Sequence, residues 1–169
     1  MKQLILGGAR SGKSRYAEQQ AIQSGKEVYY LATATAGDQE MSARIQRHQQ
    51  QRPSHWQLIE EELFLAETLS AHNSTDCCIL VDCLTLWVSN LLCHENTQLF
   101  VQQKNALLET LPHLACDLIF VSNEVGLGVI PMGELNRRFV DESGSLHQDL
   151  APLCEKVSFV AAGLPLSLK

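Results

Sequence analysis

Short apolar runs recur along the chain at residues 3–6, 28–33, 78–83, 118–122 and 157–162, and the segments between them return an apolar residue every three or four positions. Runs of this length rich in Val, Ile, Leu, Phe and Tyr suit strands buried on both faces, while the intervening periodicity suits helices laid across them. The alternation predicts a parallel sheet covered by helices. Helices are expected over 13–23, 38–51, 62–72, 84–93, 97–114 and 133–155, the last broken near Gly144 or Pro152. The segment Trp56-Gln57-Leu58-Ile59 reads equally well as a short extra strand or an extended loop.

No internal repeat, low-complexity tract or linker divides the chain, so its 169 residues are expected to form a single domain spanning 1–169. A hydrophobic fraction of 45% and a charged fraction of 19% exclude a mostly disordered chain. The formal charge of −6 argues against nucleic acid as the main partner, which would need a concentrated basic surface. Cys77, Cys78, Cys83, Cys93, Cys116 and Cys154 form no CxxC pair and mostly sit in apolar runs, which favours buried free thiols. The chain enters a strand-like run at once, and no stretch reaches about 18 apolar residues. A cytoplasmic protein without a membrane span is therefore expected.

Chemistry enters with Gly7-Gly8-Ala9-Arg10-Ser11-Gly12-Lys13-Ser14, which satisfies GxxxxGK[ST] between an apolar run and a helical segment. Glycines allow positive φ and close backbone approach, so successive N–H groups can surround an anion at the positive end of the helix. Lys13 adds a point charge for the β- and γ-phosphates of ATP or GTP, Arg10 is a further cation, and the Ser14 hydroxyl is suited to Mg²⁺. The expected fold class is α/β: a single-domain P-loop NTPase fold of the RecA-like kind, with a mostly parallel sheet flanked by helices.

A metal shared with Ser14 needs a carboxylate at the end of another apolar strand, and Asp82, closing Ile79-Leu80-Val81-Asp82, fits. Asp82 is also placed to cap the helix beginning near Leu84, and the two roles are compatible. Between residues 38 and 52, the i, i+4, i+8 spacing puts Glu40, Arg44 and His48 on one helical face. That face reads either as a solvated surface with an ordinary histidine or as a site where neutral His48 attacks a phosphoryl group flanked by Arg44, Arg47 and Arg52. Asn123-Glu124-Val125-Gly126-Leu127-Gly128 follows the strand 118–122, where open α/β sheets place ligand loops. Glu124 is either a cap within a plain turn or a candidate catalytic base.

The run Gly7 to Arg15, with Ala32-Thr33-Ala34, Glu40-Met41, Ala43-Arg44-Ile45, His48, Arg52-Pro53 and the stretch from Val121 to Pro131, resembles the bifunctional adenosylcobinamide kinase/adenosylcobinamide-phosphate guanylyltransferase family. The resemblance implies an enzyme of cobalamin assembly. A nucleoside triphosphate phosphorylates the aminopropanol hydroxyl of adenosylcobinamide; GTP then gives GMP to an enzyme histidine, and from there to adenosylcobinamide phosphate. The family's guanylylated histidine falls on His48. Its nucleotide contacts fall on Gly7, Gly8, Ala9, Arg10, Ser11, Gly12, Lys13, Ser14, Ala32, Thr33, Ala34, Gln49, Gln50, Gln51, Arg52, Glu60 and Asp82. The implied ligands are GTP, ATP and Mg²⁺, the partners are the corrinoid substrates, and the implied assembly is a homo-oligomer, a trimer. A RecA-like ATPase or motor subunit, or a nucleotide-gated binding module, would share the loop but not require His48.

Overall fold

The structure, a computed structural model, describes residues 1–34 and 53–169. The expected helix 38–51 lies outside the described residues, and so do Glu40, Arg44, Arg47, His48, Gln49, Gln50, Gln51 and Arg52.

The described strands are β1 (Lys2–Gly7), β2 (Glu27–Ala32), β3 (Gln57–Glu60), β4 (Cys77–Asp82), β5 (Asp117–Asn123), β6 (Lys156–Ala161) and β7 (Leu164–Ser167). They form one sheet in the order β3-β2-β4-β5-β1-β6-β7, with every pairing parallel except the last. Trp56–Ile59 thus resolves into the edge strand β3, beginning one residue later than the apolar run. The helices are α1 (Lys13–Gln23), α2 (Leu65–Ala71), α3 (Leu84–Leu92), α4 (Leu99–Thr110) and α5 (Glu134–Leu153). No helix among the described residues is long and apolar enough to cross a membrane.

Strand alternation divides the core into two layers. Ile5, Leu80, Ile119 and Val121 face α1, whose contact residues Ala17 and Ala21 let the helix lie close to the sheet. Leu4, Leu6, Ile79, Val81, Leu118 and Phe120 face the other way, onto Trp87, Phe100, Leu146 and Leu150 of the remaining helices. Both faces of the central strands are covered, which is why their sequences read as unbroken apolar runs.

Three expectations need correction. α5 runs unbroken through Gly144: the packing of Leu146, His147 and Leu150 against the core outweighs the roughly 1 kcal/mol by which glycine weakens a helix. Pro152 falls in the last turn, where few further helical bonds remain to lose. The segment 97–114 divides into α4 and a 3₁₀ turn at Leu111–His113 that carries Pro112. β7 has no counterpart among the apolar runs, because Leu164-Pro165-Leu166-Ser167 is short, contains proline and is exposed along its length.

Five of the six cysteines are buried free thiols, and Cys93 is exposed. Burial pushes the thiols of Cys78, Cys83, Cys116 and Cys154 up to about 11, so they behave as small apolar side chains.

Candidate functional site at the carboxyl edge of the sheet

Six parallel strands deliver their carboxyl ends to one edge in a fixed register. Glu60 pairs with Ala32, Ala32 with Asp82, Asp82 with Val121, and Gly7 with both Asn123 and Val160. The polypeptide leaves β1 at Gly7 and turns back sharply. Ser11 N–H donates to Gly8 O at 3.2 Å, Arg10 takes a positive φ of 56°, and Gly12 reaches φ 95° as the N-cap of α1. Two glycines are obligatory by contact. A Cβ on Gly7 would stand 2.5 Å from Val160 O, and one on Gly12 would stand 2.9 Å from Gly163 Cα. The second contact reveals a support that sequence reading missed: the β6–β7 turn packs on the loop, with Gly163 N–H donating to Ser11 O at 2.7 Å. The sequence offers only Gly163 as a hint, since the positive φ of Ala162 and Gly163 that closes this tight hairpin belongs to the folded chain.

Lys13 starts α1, buried to 9% exposure, with Nζ donating to Gly8 O at 3.1 Å. Burial holds its ammonium below the ordinary lysine range, against the opposing pull of the Asp82 charge. The Asp82 charge thus partly offsets the effect of burial on Lys13. Ser14 follows, half-buried, on the first turn.

Asp82 Oδ2 accepts a hydrogen bond from Tyr30 Oη at 2.9 Å. The N-cap of α3 is Cys83, with no side-chain cap bond, so the helix-cap reading of Asp82 is not the geometry adopted. The Asp82–Cys83 peptide is cis. Thr33 fastens this corner: its hydroxyl donates to Cys83 O at 2.7 Å and accepts from Cys83 N–H at 3.0 Å, with the side chain fully buried. Its carbonyl accepts from Asn90 Nδ2 at 2.9 Å. Both functions of the Thr33 hydroxyl are therefore engaged within the protein, whereas flanking Ala32 and Ala34 are half-buried at the edge.

Glu60 is exposed at the end of β3, four strands from β1, a separation of about 19 Å at normal strand spacing. Neighbouring Glu61 has a different task, its Oε1 accepting from Leu63 and Phe64 N–H at 2.8 Å each ahead of α2. His48, Gln49, Gln50, Gln51 and Arg52 lie outside the described residues.

A polar cluster unforeseen from sequence lies beneath the edge. His147 Nε2 is 2.8 Å from Ser122 Oγ, Ser122 Oγ is 3.3 Å from Thr85 Oγ1, and Thr85 Oγ1 accepts from Asn123 N–H at 2.7 Å. The other ring nitrogen, Nδ1, faces Glu124 Oε2 at 3.7 Å. Burial pushes the His147 pKa down, with the Glu124 charge opposing. The helical pattern carried a trace of this, since His147 shares the buried stripe Ser143, Leu146, His147, Leu150. The contact at His147 also shows where α5 lies. Thirteen residues, about 20 Å of helix, precede it from Glu134. The first half of α5 accordingly extends past the strand ends alongside α3, around a cavity of about 240 Å³ lined by Ser89, Leu92, Cys93, Leu135, Asn136 and Phe139.

The family described as "Cobinamide kinase / cobinamide phosphate guanyltransferase" matches residues 3–168. The bifunctional adenosylcobalamin biosynthesis protein CobP of Pseudomonas aeruginosa is 56% identical over 169 residues, covering 100% of this chain and 98% of the relative. The corresponding CobU protein of Escherichia coli is 37% identical over 180 residues, covering 98% of each. Among solved structures, a RadB recombinase aligns with a TM-score of 0.50 at 15% identity, over 94% of this chain and 73% of that one. This last likeness concerns the fold, which is RecA-like.

Proposed function

We propose that this chain, which belongs to the cobinamide kinase / cobinamide phosphate guanyltransferase family, conducts both of the family's reactions with nucleotide phosphates held by Gly7, Gly8, Ala9, Arg10, Ser11, Gly12, Lys13 and Ser14. As a member it is an enzyme of cobalamin assembly, with a nucleotide-dependent kinase activity on cobinamide and a guanylyltransferase activity on cobinamide phosphate. The observation that supports the site assignment is the register that brings Gly7, at the start of the loop, and Asp82 to the same edge of the sheet.

The loop amides, the α1 terminus and Lys13 stabilise the triphosphate tail in both reactions. In the kinase step the tail includes the β-phosphate that becomes the leaving group; in guanylyl transfer it becomes pyrophosphate. Mg²⁺ suits the residues present. Among the described residues no group of three or more His, Cys, Asp or Glu could cage a metal, and one carboxylate from Asp82 with the Ser14 hydroxyl is the sparse set that leaves magnesium its phosphate and water ligands. When bound there, the ion neutralises charge on the phosphates. Asp82 is kept oriented by Tyr30, and Thr33 secures the Cys83 backbone beside it.

His48 is the proposed nucleophile of the second reaction. Its imidazole nitrogen bonds to the α-phosphorus of GTP as the bond to the β-phosphate oxygen breaks and pyrophosphate departs. A phosphate oxygen of the corrinoid substrate then displaces the imidazole, forming the diphosphate. This role, and nucleotide contacts at Gln49, Gln50, Gln51 and Arg52, rest on the sequence resemblance. A contact at Glu60 belongs to the base or ribose, because four strand spacings separate it from the loop. ATP or GTP serves the kinase step, and a cytoplasmic trimer is the proposed working form.

Intact-mass measurement after incubation with GTP and Mg²⁺, followed by peptide mapping, tests this reading. GMP should be found on His48, in an acid-labile linkage, and His48→Ala should lose the adduct while retaining kinase activity. GMP on another residue, or guanylyl transfer by His48→Ala, would overturn the mechanism.

A further inference from the structure

Building on the kinase activity above, we propose that Glu124 is the general base of the kinase step, positioned by His147, and that guanylyl transfer does not use it. Glu124 is the first residue beyond β5, and its N–H donates to Gly7 O at 3.1 Å, which ties its backbone to the start of the phosphate loop. Its carboxylate is held by short-range contacts: Oε1 accepts from Gly126 N–H at 2.6 Å, and a Cβ on Gly126 would stand 3.0 Å from the same oxygen. The side chain remains 22% exposed, so it is accessible to an acceptor at the edge.

His147 is the second observation. Its side chain is 8% exposed, and its Nδ1 is buried with no hydrogen-bond partner, facing Glu124 Oε2 at 3.7 Å. A leucine would serve the core better on a stripe shared with Leu146 and Leu150, because an unsatisfied buried polar atom costs about 1–3 kcal/mol. The neighbouring hydroxyls favour one tautomer. Thr85 Oγ1 accepts from Asn123 N–H, so every proton finds an acceptor when Thr85 donates to Ser122 and Ser122 donates to Nε2. The proton of the neutral ring then resides on Nδ1, directed at Glu124, and a small movement of the carboxylate completes the bond. Beyond Glu124 the loop exposes Leu127, Val129, Ile130 and Met132, an apolar flank for a large acceptor.

The chemistry separates the two reactions. An alcohol acceptor is neutral near pH 7 and must lose its proton as its oxygen bonds to the γ-phosphorus. The bond from that phosphorus to the β-bridging oxygen breaks, the nucleoside diphosphate leaves with the electron pair, and the proton passes to Glu124 and on to solvent. A phosphate monoester, with a second pKa near about 6, is already ionised and needs no base.

Kinase and guanylyl-transfer rates measured separately on the full chain, with cobinamide and with cobinamide phosphate as acceptors, test the assignment. Glu124→Gln should lower kinase kcat by roughly 100-fold or more, leaving nucleotide KM and guanylyl transfer within about threefold of wild type. His147→Leu should lower kinase kcat by about tenfold, and His147→Asn should recover part of that loss, because its amide N–H replaces Nδ1–H. If Glu124→Gln does not fold, Glu124→Asp, which withdraws the carboxylate by one methylene, should show the same selective loss. Kinase kcat near wild type in the Glu124 variant, or an equal fall in both reactions with a raised nucleotide KM, would overturn the assignment. A wild-type chain that fails to phosphorylate cobinamide would remove the kinase reading and this inference with it.

Discussion

Replacing Thr33 by valine distinguishes a structural clasp from a nucleotide ligand. The exchange is nearly isosteric, but it removes the bond from Thr33 Oγ1 to Cys83 O and strips Cys83 N–H of its acceptor in a fully buried place. The lost bond is worth about 1 kcal/mol and the orphaned N–H about 1–3 kcal/mol. The added methyl returns about 0.8 kcal/mol of apolar burial. The net loss is roughly 2 kcal/mol, which for a chain of this size lowers Tm by about 4–8 °C. Thr33→Ser keeps both bonds and should cost under about 1 kcal/mol. Thermal unfolding followed by circular dichroism, with nucleotide KM measured alongside, gives the two readouts. A Thr33→Val protein of unchanged Tm and raised nucleotide KM would refute the clasp and return the hydroxyl to the nucleotide.

Three further outcomes are expected. Lys13→Ala should lower kcat/KM of both reactions by about 100-fold or more while Tm holds, and normal rates in a folded variant would show that the phosphates bind elsewhere. Asp82→Asn, which keeps the shape seen by Tyr30 but removes the charge, should lower both activities and raise the Mg²⁺ concentration needed for half-maximal rate; unchanged metal dependence would exclude Asp82 as a ligand. His147 is neutralised by burial, so its folded pKa lies below the unfolded value. The stability of keeping it neutral is complete above about pH 6.5 and is lost as pH falls toward the folded value, where the unfolded chain binds the extra proton. Urea midpoints should therefore drop less on acidification in His147→Leu than in wild type, and equal drops would contradict that burial penalty.

The layered parallel sheet was legible because fully covered strands must be apolar on both faces, which leaves unbroken runs such as Cys78-Ile79-Leu80-Val81. The phosphate loop was legible too, since Gly7, Gly12, Lys13 and Ser14 stand at fixed spacing in one continuous stretch and Gly12 takes the positive φ that glycine favours. The fate of Gly144 was not, because helix continuity there depends on core packing that propensity does not contain. Thr33 is equally ambiguous in one dimension: its hydroxyl meets Cys83, fifty residues away, only because β2 and β4 lie side by side. The support of the loop by Gly163 and the line from Thr85 through Ser122 and His147 to Glu124 likewise join distant segments. Local chemistry is written in neighbouring residues and can be read from their order. Which hydroxyl faces which imidazole is decided by strand order and helix placement, since hydrogen bonds act over about 3 Å and only the folded chain brings such groups that close.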